Sequence, residues 1–188
     1  MPIVIPADLT IVTLSGQPQR FTEEYASNLL QLASALWQSR GDITFSRASF
    51  ELVTEEMPPG MRSDVVDDSG YHFLASRHRA GRGVRVLFVD RTARADLGGQ
   101  SREQTRVCFV KYEENPPSAS RMLAHELGHL LGLRHINDGA QTGPGHEAEQ
   151  AAQLRNLMYS GALNPDAEIN STQRQTARTS TLATQFGG

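Results

Sequence analysis

The stretch HELGHLLGLRH, from His125 to His135, constrains the fold of this chain more than any other segment. It holds three of the chain's six histidines, together with one glutamate and two glycines. Leucines recur through it at helical spacing, so we predict a helix that begins at Ser118 and continues into this stretch. Gly132 then predicts the end of the helix, because a residue without Cβ readily turns the chain outward.

The histidines in this stretch have the spacing of a metal site. His125 and His129 are four residues apart and share one helical face, so both imidazoles can reach one point. After a turn at Gly132, His135 can return as a third nitrogen ligand. Three histidines around Zn²⁺ leave one position open for water, which is the catalytic rather than the structural arrangement. Glu126 projects beside that position, where it suits a general base.

This stretch resembles HExxHxxGxxH, the zinc-binding signature of the metzincin metallopeptidases. The family carries a methionine in a downstream turn, and NLMY supplies Met158, 23 residues after His135. The resemblance implies a zinc-dependent endopeptidase with one catalytic Zn²⁺ on the three histidines. Glu126 would activate the zinc-bound water, and Met158 would form a hydrophobic floor. Ile136 matches none of the better-known subfamilies at its position, so the subfamily is unassigned.

The order of predicted elements indicates a mixed α+β domain. Apolar and β-branched runs predict strands at residues 3–14, 43–53, 83–90 and 105–112. The second strand is expected to bend between Phe45 and Ala48. Helical spacing predicts one helix from Thr22 to Gly41 and a last helix over residues 169–184. The resemblance implies a finer fold class: a metzincin-like domain with a twisted mixed sheet, an antiparallel edge strand, an active-site helix, a Met-turn and a C-terminal helix.

The segment DLGGQS, before the last predicted strand, is predicted to form the short edge strand. Its glycines would let another backbone approach closely. In metzincins this strand pairs with an extended substrate, so the resemblance implies substrate binding through main-chain hydrogen bonds. The residues concerned are Leu97, Gly98, Gly99, Gln100 and Ser101.

Length and charge limit the domain count and the partners. At 188 residues the chain is predicted to be one domain, and the resemblance implies a metallopeptidase catalytic domain. The resemblance divides it into an N-terminal subdomain (1–132) and a C-terminal subdomain (133–188). The net charge of −3, with both signs mixed along the chain, argues against nucleic acid or an anionic membrane as partner. We expect a monomer that acts on a protein or peptide substrate.

Two further features bear on location and on a second metal. The first segment, MPIVIPADLTIVTLSG, does not resemble a signal peptide, although the family resemblance favours a secreted, extracellular enzyme. Asp64, Asp67 and Asp68 cluster in one loop and could hold a structural Ca²⁺. A solvated acidic loop is the simpler interpretation, and we predict no calcium site.

Two other functions stay open on the sequence. A thermolysin-like peptidase takes its third ligand from a downstream glutamate, and Glu147 or Glu149 lies at a feasible distance. In that case Gly132 and His135 would have no role. A non-catalytic, zinc-stabilised peptide-binding module is the second alternative, and it would have no use for Glu126.

The identity of the third ligand is testable by metal analysis. Replacing His135 with alanine should remove the stoichiometric zinc that the wild type retains after dialysis, because only two protein ligands remain. A variant that still holds one zinc per chain would favour Glu147 or Glu149 instead.

Overall fold

The computed structural model describes residues 2–94, 98–136, 147–159 and 167–187. Within these ranges the chain is an α+β fold with one mixed five-stranded sheet and six helices. The strands are β1 (Ile3–Leu14), β2 (Ile43–Glu55), β3 (Val84–Val89), β4 (Gly99–Arg102) and β5 (Val107–Lys111). The helices are α1 (Glu23–Gly41), α2 (Asp68–Arg77), α3 (Pro116–Leu130), α4 (Glu147–Leu154), α5 (Ser171–Thr179) and α6 (Thr181–Thr184). None of these helices combines the length and apolar character needed to cross a membrane.

The sheet has the strand order β2-β1-β3-β5-β4. The pairs β1–β2, β1–β3 and β3–β5 are parallel, and β4 runs antiparallel to β5 at one edge. The four strands expected from apolar periodicity are confirmed, as is an antiparallel edge strand between the last two of them. That edge strand lies at Gly99–Arg102, at the end of the DLGGQS segment.

The predicted bend in β2 is a β-bulge. The register between β1 and β2 shifts between Ala7 and Asp8, which leaves Ala48 as the extra residue of β2. An unpaired residue of this kind bends its strand and reverses the in–out phase of the residues after it. The phase change that the sequence shows between Phe45 and Ala48 is therefore confirmed.

Two hydrophobic cores cover opposite faces of the sheet. Successive strand residues point to opposite faces, so Ile5 and Leu9 of β1 lie in the core beneath α1 and α3. Val12 and Leu14 of the same strand lie in the second core, which α2 covers through its buried Leu74. The helix that carries the histidines is thus held against one face of the sheet.

Helix α1 is capped at its start and holds α3 in place through a tryptophan. The side chain of Thr22 caps α1 by accepting a hydrogen bond from the backbone N–H of Tyr25 at 3.1 Å. Later in the same helix, Trp37 is buried, and its Nε1 donates to the carbonyl oxygen of Ala124 at 2.9 Å. This bond joins α1 to the residue just before His125.

Two helix boundaries differ from the sequence prediction. Helix α3 begins at Pro116 rather than at Ser118, with Asn115 as the N-cap residue. Proline suits the first helical turn, because its missing N–H would have no partner there. The single helix predicted over residues 169–184 is two helices, since Ser180 has extended backbone angles (φ −60°, ψ 153°) and its side chain caps α6.

The bond from Trp37 gives a stability prediction. Replacing Trp37 with phenylalanine should lower the free energy of unfolding by about 1–3 kcal/mol, because a buried hydrogen bond and part of the ring volume are lost. Urea unfolding followed by circular dichroism measures the change. Replacing the exposed Gln38 with alanine is the control on the same helix and should cost less than about 0.5 kcal/mol. Equal stability of the two variants would contradict the prediction.

Candidate metal centre

Three imidazole nitrogens converge on one point. Nε2 of His129 lies 3.1 Å from Nε2 of His125 and 3.1 Å from Nε2 of His135. The remaining pair, His125 and His135, is separated by 3.2 Å. Zinc–nitrogen bonds of about 2.0–2.1 Å in a tetrahedral shell require nitrogens about 3.3–3.4 Å apart. The three predicted ligands are therefore brought together at a spacing that can hold a metal ion.

Hydrogen bonds on the far side of two rings decide which nitrogen carries the proton. Nδ1 of His125 lies 2.6 Å from the carbonyl oxygen of Leu157, and Nδ1 of His129 lies 2.8 Å from that of Leu133. A carbonyl only accepts, so each Nδ1 donates and each neutral ring presents a lone pair at Nε2. Lone pairs pointed at one another repel unless a cation lies between them. This donor set fits a divalent metal such as zinc.

The first histidine stays neutral at physiological pH. Burial lowers the pKa of His125 to about 4, the hydrogen bond to Leu157 opposes this shift, and the neighbouring His129 and His135 add to it. A metal competes with protons for an imidazole nitrogen. The lone pair of His125 is consequently available for a ligand bond at neutral pH.

The third histidine reaches the site through a tight turn after α3. Gly132 has a left-handed φ of +79°. Its N–H donates to the carbonyl of His129 at 2.9 Å, and the N–H of Leu133 donates to the carbonyl of Gly128 at 3.0 Å. These two bonds form the Schellman motif that ends many helices. The turn predicted at Gly132 is confirmed, and it returns the chain so that His135 faces the other two rings.

Met158 packs directly against α3. Its side chain is fully buried, and a Cβ added to Gly128 would lie 2.5 Å from its Sδ. Glycine inside a helix costs about 1 kcal/mol relative to alanine. Here the absence of a side chain makes room for the thioether, so Gly128 has a packing role that its helical position alone did not predict.

Glu126 lies beside the first ligand, and its side chain is buried. Gly99 of β4 makes room for it, since a Cβ there would lie 2.8 Å from Cγ of Glu126. Burial raises the pKa of Glu126 to about 8, and the Ser101 hydroxyl opposes this shift in part. The carboxyl of the metal-free protein is therefore mostly protonated at neutral pH, and a cation nearby would favour its ionised form.

Side chains of β4 alternate between the two faces of the sheet. Ser101 pairs with Cys108, whose side chain lies in the core beneath α3. Gln100 pairs with Phe109, which belongs to the core beneath α2. Directly opposed residues of an antiparallel pair share a face. Of the predicted substrate residues, Ser101 thus faces the histidine helix, whereas the side chain of Gln100 is turned away from it.

The outer edge of β4 presents main-chain groups that pair with no other strand of the described sheet. The carbonyl of Gly98 accepts a hydrogen bond from the N–H of Lys111 in β5 at 2.8 Å, so Gly98 and Lys111 are a hydrogen-bonded pair of the antiparallel ladder. Because such pairs alternate along an antiparallel ladder, the N–H and C=O groups of Gly99 and Ser101 point away from β5. Leu97, also predicted in this strand, lies outside the described residues.

The other candidate ligands have partners elsewhere or lie outside the description. Asp67 caps α2, and Asp64 forms an ion pair with Arg62 at 2.9 Å. The side chains of Glu147 and Glu149 lie outside the part of the chain that is described. Among the described residues, the group of His, Cys, Asp and Glu side chains that could hold a metal is the histidine triangle.

Sequence reasoning missed two polar side chains close to the site, Asn156 and Gln173. Asparagine often closes a turn with its own side chain, which is the role Asn156 has before Met158. Asn170 and Gln173 have the spacing of a capping box at the start of α5. Each signal is local, and neither indicates that Asn156 and Gln173 bind each other.

Comparisons with known proteins do not assign the chain to a family. No protein-family model matches the chain, and no curated protein matches it. The resemblance to metzincins therefore depends on HELGHLLGLRH and Met158 in the sequence, and the structure adds a triangle of three histidines that could hold a metal ion.

The raised pKa of Glu126 predicts how the metal-free protein responds to pH. The carboxyl ionises near pH 4.5 in the unfolded chain and near pH 8 in the folded chain, so folding binds a proton between these values. The free energy of unfolding should therefore fall as pH rises through this window, relative to a Glu126→Gln variant whose amide does not titrate. The relative loss should reach about 3–5 kcal/mol by pH 8. Urea unfolding without metal measures it, and parallel curves for the two proteins would contradict the burial argument.

Proposed function

We propose that this protein is a zinc-dependent endopeptidase of the metzincin type. The observation that carries the proposal is the Nε2 triangle of His125, His129 and His135, next to which the chain carries the buried Glu126. Imidazole ligands suit zinc, and a site with three protein ligands keeps a position for water. A carboxyl beside such a position is the usual proton acceptor in hydrolysis.

Each residue of the site has a defined task in this mechanism. His125, His129 and His135 would hold zinc, and the bound ion would supply a Lewis acid that lowers the pKa of water and polarises a peptide carbonyl. The carbonyl groups of Leu157 and Leu133 keep the rings of His125 and His129 in the orientation that presents Nε2. Glu126 accepts the proton of the attacking water and delivers it to the leaving amine. Its burial favours the protonated state between these two transfers.

The arrangement of elements supports the metzincin type. The elements follow one another in the order expected of the family. Parallel strands with an antiparallel edge strand come first, then the histidine helix α3, a turn with a buried methionine and a C-terminal helix. We propose a division at the turn after α3, into an N-terminal subdomain (1–132) with the sheet and the histidine helix and a C-terminal subdomain (133–188) with the third ligand and the Met-turn. By the same resemblance, we propose that the enzyme acts as a monomer outside the cell.

The edge strand supports a protein or peptide as substrate. The outward N–H and C=O groups of Gly99 and Ser101 can pair with an extended chain that runs antiparallel to β4. Main-chain pairing depends little on the substrate's side chains. It also holds the chain at two or more residues, which suits cleavage within a polypeptide rather than at its end.

The Glu126→Gln variant tests the catalytic half of the proposal. It should retain one zinc per chain, and its rate of peptide hydrolysis should fall by about a hundred- to ten-thousandfold, because the proton acceptor is lost while the ligands remain. A casein digest and a peptide-library digest measure the rate, and metal analysis measures the zinc.

Two controls separate loss of chemistry from loss of metal. Removal of zinc with a chelator should stop hydrolysis by the wild type, and added zinc should restore it. A Glu126→Gln variant as active as the wild type would overturn the assignment of the general base. A wild type that binds zinc stoichiometrically and cleaves nothing would favour the non-catalytic binding module.

A further inference from the structure

One short turn contacts the first histidine and the residue that directly follows the third. The carbonyl of Leu157 accepts the hydrogen bond from Nδ1 of His125 at 2.6 Å. The carbonyl of Met158, the next residue, accepts a hydrogen bond from the N–H of Ile136 at 3.0 Å. Ile136 directly follows His135. A shift of this turn would therefore change the distance between the first and the third histidine.

The turn is held by the side chain of Asn156. Its Oδ1 accepts a hydrogen bond from the N–H of Met158 at 2.9 Å, which closes the turn. Its Oδ1 also accepts from Nε2 of Gln173 at 2.9 Å, and its Nδ2 donates to Oε1 of Gln173 at 2.8 Å. Asn156 is buried, so this side chain lies inside the protein rather than in solvent.

Gln173 belongs to the first turn of α5. Its Oε1 accepts a second hydrogen bond, from the N–H of Asn170 at 2.9 Å, and its own N–H donates to Oδ1 of Asn170 at 2.8 Å. Gln173 thus caps α5 and binds Asn156 with the same side chain. A second anchor of α5 is Arg178, which donates to the carbonyl of Gly41 at 3.2 Å and lies far along the helix from this turn.

We propose that Asn156 and Gln173, here called the amide clasp, are positioning residues for the metal ligands, through which α5 sets the affinity of the histidine site. The clasp fixes the turn, and the turn fixes His125 through its ring and His135 through the backbone of Ile136. Three nitrogens bind one ion well only if all three stand at the right distance together. The inference rests on the metal-binding part of the proposed function and is independent of the peptidase activity.

The variant Gln173→Glu tests the clasp while preserving the cap of α5. A glutamate at this position still accepts from Asn170, as in the usual capping box. It cannot donate to Oδ1 of Asn156 and instead places a second oxygen against it. Rotating the Asn156 amide gives no relief, because the N–H of Met158 would lose its acceptor.

The matched control is Arg178→Gln, which weakens the other anchor of the same helix. Zinc transfer from each loaded protein to a chromophoric chelator measures affinity, and thermal unfolding of the metal-free chains measures stability. Gln173→Glu should weaken zinc binding about ten- to hundredfold, as is usual when a group behind the ligands is changed. Arg178→Gln should leave the affinity unchanged even where it lowers the unfolding temperature. Equal affinities of Gln173→Glu and the wild type, or an equal loss in both variants, would overturn the inference.

A second comparison keeps the test decisive if Gln173→Glu folds poorly. Gln173→Ala removes the side chain without adding charge and should also weaken zinc binding. In an Asn156→Ala background the same change should have no further effect on affinity, because the hydrogen bonds that join Gln173 to the turn within the described residues all go to Asn156. An undiminished effect in that background would overturn the inference. A wild type that binds no zinc would instead contradict the proposed metal site itself.

Discussion

The convergence of three Nε2 atoms is the interaction on which the rest of the site depends. Two carbonyl oxygens hold the protons of His125 and His129 on the far side of their rings, so these two rings present lone pairs at Nε2. Such an arrangement is unfavourable until a cation occupies the centre. The protein maintains it because the helix, the Schellman turn and the 156–158 turn leave the rings no easy alternative.

Two glycines near the metal centre permit close packing because they have no side chain. Gly128 lacks the Cβ that would collide with Met158, and Gly99 lacks the one that would collide with Glu126. Both glycines stand inside regular elements, where they cost conformational stability. The close approach that they permit brings a thioether under the helix and a carboxyl next to the edge strand.

Local signals in the sequence predicted most of the elements, but they did not predict contacts between residues far apart in the chain. Helical spacing identified His125 and His129, and Gly132 indicated the turn to His135. The phase shift before Ala48 indicated the bulge. By contrast, Trp37 meets Ala124 across 87 residues, and Asn156 meets Gln173 across 17. Side-chain pairs of this kind follow from the packing of helices, and no periodic pattern of single residues encodes them.

The bulge in β2 has a consequence for the two edges of the sheet. β2 is the outer strand on the side opposite β4, and its exposed length would be a template for unwanted strand pairing. The extra residue at Ala48 interrupts that template, and the flanking charges of Arg47 and Glu51 discourage a neighbour further. The other edge strand, β4, shows no such interruption in the described part of the sheet, so we propose that an extended polypeptide would pair on that side, beside Glu126.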